Sequence, residues 1–152
     1  NMREKKIVAN NKKARFDFFI EDIFEAGIVL TGTEIKSIRQ GKVSINESYA
    51  KVRDGEIFIL GMNISPYEQG NIFNVDPLRE RKLLLSKREI RKIDEINRLK
   101  GKTIIPLRVY INERGLAKVQ IGIGTGKKNY DKRDSIAKKD AERKMKIAAK
   151  RR

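Results

Sequence analysis

Cysteine and histidine are both absent from the 152 residues. Without cysteine there is no disulfide framework and no thiolate metal site. Without histidine the usual zinc ligand set is incomplete, and the side chain that most often moves protons near neutral pH is missing. Carboxylates alone can serve a metal-dependent nuclease, so catalysis is disfavoured rather than excluded. The expectation is a protein that is not an enzyme and holds neither metal nor cofactor. No apolar run approaches the ~18 residues of a membrane-spanning helix, and the basic opening NMREKKIVAN lacks the apolar core of a secretory signal. The expected setting is cytoplasmic, with no membrane partner.

Positive charge is what the chain has in excess. Lys and Arg number 36 against 20 Asp and Glu, a formal charge of +16. Like charges oppose compaction, so a surplus of this size points to a polyanionic partner, and RNA is the candidate. The charge is uneven. Residues 127–152 carry twelve basic and four acidic side chains, half of the net total, and residues 1–15 carry six basic and one acidic. From Ser135 the tail has Ala137, Ala141, Met145 and Ala148 at helical spacing. Those side chains bury little area, so a tail helix should form mainly on a partner.

Between the two basic ends the pattern is β-rich. FDFFIEDIF and GIVLTG read as two runs separated by Glu25-Ala26-Gly27, and SYAKVRDGEIFILGM reads as a hairpin turning at Asp54-Gly55. TIIPLRVYI and LAKVQIGI form another pair joined through Asn112–Gly115, with Leu107, Val109 and Ile111 expected on one face. One helix is expected from Glu34 to Gln40, capped by Thr31 with Glu34 and ended by Gly41. A second begins at Ser86 with Glu89 three residues on, burying Ile90, Ile93 and Leu99 before Gly101. Residues 61–81, with Pro66 and Pro77, read as a long irregular connection. About six short strands and two helices around a small core suggest a mainly β fold with flanking helices, a closed antiparallel OB-like barrel. Residues 1–126 would hold the barrel and its basic N-terminal arm, and residues 127–152 a basic C-terminal tail, disordered or helical.

Two constellations invite chemistry and give little. Gly122-Ile123-Gly124-Thr125-Gly126-Lys127-Lys128 lacks the earlier glycine and the Ser or Thr after lysine that a P-loop needs, and reads as a flexible strand exit. Glu21, Asp22 and Glu25 cluster, but adjacent strand residues point to opposite faces, which disfavours a shared metal. Glu25 could instead accept hydrogen bonds from a base edge or a ribose hydroxyl. Basic clusters are more productive: Lys12, Lys13 and Arg15 beside Phe16, Lys36 with Arg39 and Lys42, Arg79-Glu80-Arg81-Lys82, and Lys87-Arg88 each offer phosphate contacts.

Four strings, NKKARFDFFIEDIFEAGIVLTGTEIKSIRQGK, DGEIFILGMNISPYEQGN, DPLRERKLLLSKREI and GKKNYDKRD, occur in this order. Together they closely resemble the SmpB, or SsrA-binding protein, family of bacterial trans-translation, across residues 8–150. The resemblance implies a six-stranded OB-like barrel bound to the tRNA-like domain of tmRNA, acting at stalled ribosomes in ribosome rescue. Elongation factor Tu would take part indirectly, through alanyl-tmRNA. It places Asn11 and Glu25 on positions implicated in tmRNA binding. Lys12, Lys13, Arg15, Glu34, Lys36, Ser37, Arg39, Lys82, Lys87 and Arg88 fall in the same RNA-facing segments. Gly126, Lys127, Lys128, Tyr130, Asp131, Lys132 and Arg133 match the family's switch from barrel to tail. That tail would fold on the ribosome, along the mRNA path beyond the small-subunit decoding region. Phe16 and Tyr130 stand where several members have histidine, which puts a histidine-specific contact at Phe16 in doubt; an aromatic at position 130 could still stack on an rRNA base. Two other classes remain open on the residues alone: a general OB-fold RNA binder such as a ribosomal protein, and a carboxylate-metal nuclease.

Overall fold

The computed structural model describes residues 5–128, apart from the side chain of Asn71. Among these residues the fold is mainly β, with strands β1 (Lys6–Asn10), β2 (Phe18–Ile28), β3 (Val43–Ser44), β4 (Tyr49–Arg53), β5 (Glu56–Leu60), β6 (Asn63–Ile64), β7 (Arg81–Leu84), β8 (Thr103–Ile111) and β9 (Ala117–Gly126). Helices α1 (Lys12–Asp17), α2 (Gly32–Arg39) and α3 (Lys87–Lys100) flank them. The main sheet runs β1-β8-β4-β5-β7-β2-β9, and β9 also pairs with β8, so the pairings of six strands return on themselves as a ring. The paired strands are all antiparallel.

Local chemistry sets the element ends. Asp54 and Gly55 both take positive φ, 53° and 75°, the pair of left-handed residues that a two-residue hairpin needs. β4 and β5 then pair Arg53 with Glu56, as the alternation around Asp-Gly predicts. Thr31 and Ser86 each cap a helix reciprocally with Glu34 and Glu89, satisfying orphan N–H groups at both starts. Gly101, at φ 64°, ends α3 in the left-handed conformation. Ile93 of α3 is fully buried in the ring's core, with Ile90 and Ile96 packed beside it. Leu99, expected inward, is exposed instead. Six residues beyond Ile93 at 100° each is 240° around the axis, which turns it to solvent.

The largest departures from expectation come from β-bulges. β2 is one strand of 11 residues, so Glu25-Ala26-Gly27 lies within it and separates nothing. Its partner register on β9 skips Glu21, between Ile20 paired with Gly124 and Asp22 paired with Ile123. β8 likewise skips Leu107, between Pro106 paired with Ile121 and Arg108 paired with Gln120. An extra residue inverts the alternation beyond it. Leu107 therefore leaves Val109's core and packs outside with Ile105, Ala14, Phe18 and Ile20, under α1.

That outer cluster explains Gly122 of β9, and the main chain of β2 explains Gly124. A Cβ on Gly122 would lie 2.9 Å from both Ile20 and Leu107 side chains, and one on Gly124 would lie 2.2 Å from the Phe19 carbonyl oxygen. Both are ladder residues rather than a flexible exit: Gly122 lets the outer layer approach, and Gly124 lets the main chain of β2 come close beside its bulge. The expected N-terminal arm is also built in: residues 6–10 pair with β8 and residues 12–17 are α1.

Candidate nucleic-acid interface

Among the described residues, exposed cations stand on all three helices and on two faces of the sheet. The first neighbourhood is α1, where Lys12, Lys13 and Arg15 face solvent beside Phe16, which is 77% exposed. Asn11 itself is buried as the cap of this helix. Its Oδ1 accepts from the Ala14 N–H at 3.1 Å, and its Nδ2 donates to Pro106 O at 3.0 Å and Ile45 O at 3.4 Å. The Asn11 backbone N–H also donates to the carbonyl of Leu107 at 2.8 Å. Asn11 thus uses its whole amide, the oxygen to cap α1 and the nitrogen to tie that cap to the Pro106 and Ile45 carbonyls, and so holds the basic helix in place. At the same end Lys127 lies 5.1 Å from the Phe19 ring centre, and Lys128 is exposed just past Gly126. Tyr130, Asp131, Lys132 and Arg133 lie outside the described residues.

The second neighbourhood is α2. Lys36 is exposed and stands 5.5 Å over the Tyr67 ring. Arg39 is exposed and donates to the carbonyl of Gly115 at 3.2 Å. Ser37 and Glu34, from the same expected set, point inward. Ser37 is fully buried and donates to Ser65 O at 2.7 Å. Glu34, 3% exposed, accepts from Arg79 Nη2 at 2.7 Å, Arg81 Nε at 2.5 Å and the Thr31 N–H at 2.9 Å. Burial pushes the Glu34 carboxyl up, yet Arg79, the Thr31 N–H and Arg81 outweigh it and hold it below its ordinary value.

Arg81 is the surprise. It is fully buried, and beyond Glu34 it donates to Met62 O at 2.7 Å and Pro77 O at 3.0 Å. The cluster Arg79-Glu80-Arg81-Lys82, expected as phosphate contacts, is largely consumed by the fold. Glu80 holds Arg53 in a two-pronged pair at 2.9 Å for each bond, and Lys82 sits 3.1 Å from Glu56. Nothing in the sequence separates these arginines from surface ones, because only the fold sets Glu34 opposite them. Lys87 and Arg88, by contrast, are exposed in the first turn of α3.

The third neighbourhood is the outer face of β1, β8, β9 and β2. Glu25 accepts a hydrogen bond from the Tyr110 hydroxyl at 3.1 Å and faces Lys5 Nζ at 3.6 Å, both at Oε1. Lys5 also lies 4.8 Å over the Tyr110 ring. Burial, with Glu25 beside it, pushes the Tyr110 phenol up to about 12, so it stays a neutral donor. Tyr110 was not foreseen; its only signal was position in an alternating strand. The acidic cluster is dispersed. Glu21, the bulge residue, is held below its ordinary value by the bond from Lys102 at 2.8 Å, and Asp22 opposes core-facing Ile123. Among the described residues no group of three His, Cys, Asp or Glu could hold a metal.

A fourth, on β4, β5 and β7, sets Lys51, Phe58 and Lys82 in one cross-strand row, with Arg53 stacked 4.2 Å from the Phe58 ring centre. No helix of the described residues is long and apolar enough to cross a membrane.

Comparison with known proteins bears on all of this. The SmpB protein family model matches residues 8–151. An SsrA-binding protein of Acetivibrio thermocellus is 61% identical over 142 residues, 93% of this chain and 92% of that one. One from Geobacillus thermodenitrificans is 54% identical over 145 residues, 95% of this chain and 93% of that one. A chain from a solved structure described as "tmRNA-SmpB: a journey to the center of the bacterial ribosome" aligns with a TM-score of 0.68 at 50% identity, covering 82% of this chain and 87% of that one. With the match running through the strands, both capped helices and the tail, this chain belongs to the SmpB family.

Proposed function

We propose that this chain is a tmRNA-binding adaptor that brings the tRNA-like domain of tmRNA to stalled ribosomes for trans-translation. The observation that carries the reading is the near full-length similarity to SsrA-binding proteins, set on a surface with solvent-facing cations on α1, α2 and α3. The ring of six strands supports an OB-like barrel as the scaffold. Lys12, Lys13, Arg15, Lys36, Arg39, Lys87 and Arg88 supply phosphate contacts, Lys82 adds one only by giving up its pair with Glu56, and Glu25 supplies a carboxylate for a base edge or ribose. Asn11, Glu34 and Ser37 act from beneath the surface, by fixing α1 and α2. The adaptor works by binding, not catalysis: each role asked of these residues is a contact.

Residues 127–152, from Lys127 and Lys128 through Tyr130, Asp131, Lys132 and Arg133, form the ribosome contact along the empty mRNA path near the decoding region. Elongation factor Tu joins through alanyl-tmRNA, and the setting is cytoplasmic. This division of labour has a direct test. A chain truncated before Asp131 is expected to bind tmRNA within a few-fold of the full chain while failing to support tagging of stalled peptides in a reconstituted translation system. Loss of tmRNA binding as large as that from Glu25→Ala would contradict it.

A further inference from the structure

Residues 65–75, whose middle (Glu68–Phe73) is a 3-10 helix, close against the start of α2 and leave an open cleft of about 510 Å³. Tyr67, Gln69 and Phe73 line it from the loop, and Thr31, Thr33 and Lys36 from the helix. The chain's own bonds fix these walls. The Asn74 side chain accepts from the Tyr67 N–H at 2.8 Å and donates to the Tyr67 carbonyl at 2.7 Å, which shuts the loop on itself. Thr33 donates its hydroxyl to the Phe73 carbonyl at 3.3 Å, tying the loop to α2. A Cβ on Gly70 would lie 2.7 Å from the Thr33 methyl, so loop and helix are in close contact. The rim is apolar and faces water: Ile72 is 87% and Phe73 74% exposed, two of the three most exposed large apolar side chains among the described residues. Lys36 stands 5.5 Å over the Tyr67 ring, and no carboxylate lines the cleft.

We propose that this cleft takes one unstacked RNA base, seated against the Phe73 ring with its phosphate on Lys36, an inference that rests on the RNA-binding reading above. An aromatic ring left open to water stacks on any base, since every base has a π-face. The threonine hydroxyls and the Gln69 amide add both donors and acceptors for a base edge. The cleft's volume falls in the ~300–1,000 Å³ range of sites that hold one small ligand. An apolar segment of a partner protein fits less well, because it would desolvate Lys36 with nothing to pair it. A phosphate pairs that charge directly. The base must be free of a duplex, as the targets of RNA-binding aromatics usually are. Such a base can come from tmRNA or from rRNA, and the experiment separates the two sources.

Phe73→p-benzoylphenylalanine places a photoreactive ring at the cleft of the full chain. This protein is irradiated with tmRNA alone, and with tmRNA on ribosomes whose mRNA path is empty. The expected product is a crosslink to one unpaired nucleotide, of tmRNA in both arms or of rRNA in the second arm only. Phe73→Ala should weaken binding to the crosslinked partner about 10-fold, and Phe73→Trp should hold it within ~2-fold of wild type, because stacking is what alanine removes. Since Phe73 is largely exposed, neither variant should lower the thermal midpoint, which separates a lost contact from a lost fold. Crosslinks to a ribosomal protein, to paired nucleotides or to nothing would overturn the site. So would Phe73→Ala binding within ~2-fold of wild type. The tmRNA reading fails separately, if wild type binds tRNA as well as tmRNA.

Discussion

Glu34→Gln removes a charge from the interior while keeping the shape of the side chain, and its cost can be worked from the contacts. Among the described residues the carboxylate is the one anion bonded to Arg81, which is fully buried, and it also holds Arg79, whose side chain is 33% exposed. Breaking a buried pair by neutralising one partner costs about 3–5 kcal/mol, because the other charge stays desolvated and unmatched. The glutamine oxygen can still accept one bond, and Arg79 can turn to water, so the lower end applies: about 3 kcal/mol. For a chain of this size that lowers the thermal midpoint by roughly 10 °C. Replacing both charges, Glu34→Gln with Arg81→Met, should recover much of the loss, since the apolar stem fills the same space without a charge. The assay is thermal and urea unfolding of the full chain, single and double variants side by side. A single variant that loses under about 1 kcal/mol, or a double variant worse than the sum of the singles, would refute the reasoning. A folded Glu34→Gln chain should still bind tmRNA within a few-fold of wild type, because the carboxylate faces the interior.

Acid should weaken the fold through the same group. Glu34 and Glu21 are both held below their ordinary values, so the stability they give is present above the unfolded value and lost as pH falls through the folded one. The urea midpoint should hold steady from neutrality to about pH 5 and fall below about pH 4; a midpoint unchanged at pH 3 (roughly one unit below the unfolded value) would count against this. In β9, Gly124→Ala should prevent folding or cost several kcal/mol, because its Cβ would meet the Phe19 carbonyl at 2.2 Å. Gly32→Ala, with nothing within 4 Å of the added carbon, should be neutral by the same unfolding measurement. Equal effects of the two glycine changes would mean that the close approach does not set the requirement.

Local signals were legible where one chemistry has one solution. The Asp54-Gly55 turn, both capping boxes and the glycine ending α3 were readable, because each satisfies a backbone demand within a few residues. What hid was set across the fold. A bulge is invisible in a strand's own alternation, so the pattern groups Leu107 with Val109, and Gly122 and Gly124 read as flexible because their neighbours, the Ile20 and Leu107 side chains and the main chain of β2, come from elsewhere in the fold. The N-terminal basic segment looked like an arm, since nothing local announces that β8 will pair with it. Charge was the least reliable guide to the site. Lys12, Lys13, Arg15, Lys36 and Arg39 do face solvent, whereas Glu34 and Arg81 meet each other inside.

The central claim is selective binding of tmRNA by the folded part of the chain, and a salt titration tests it most directly. Full-length protein and the chain truncated before Asp131 would each be titrated with tmRNA and with a tRNA, from about 50 to 200 mM salt. With about six to ten phosphate contacts, both RNAs should lose ~10³–10⁵ in affinity over that range. The account predicts that tmRNA keeps an advantage of at least ~10-fold at every salt concentration, as base and shape contacts require, and that truncation leaves that ratio in place. Equal affinities with parallel salt slopes would reduce this protein to a general polyanion binder and contradict the account.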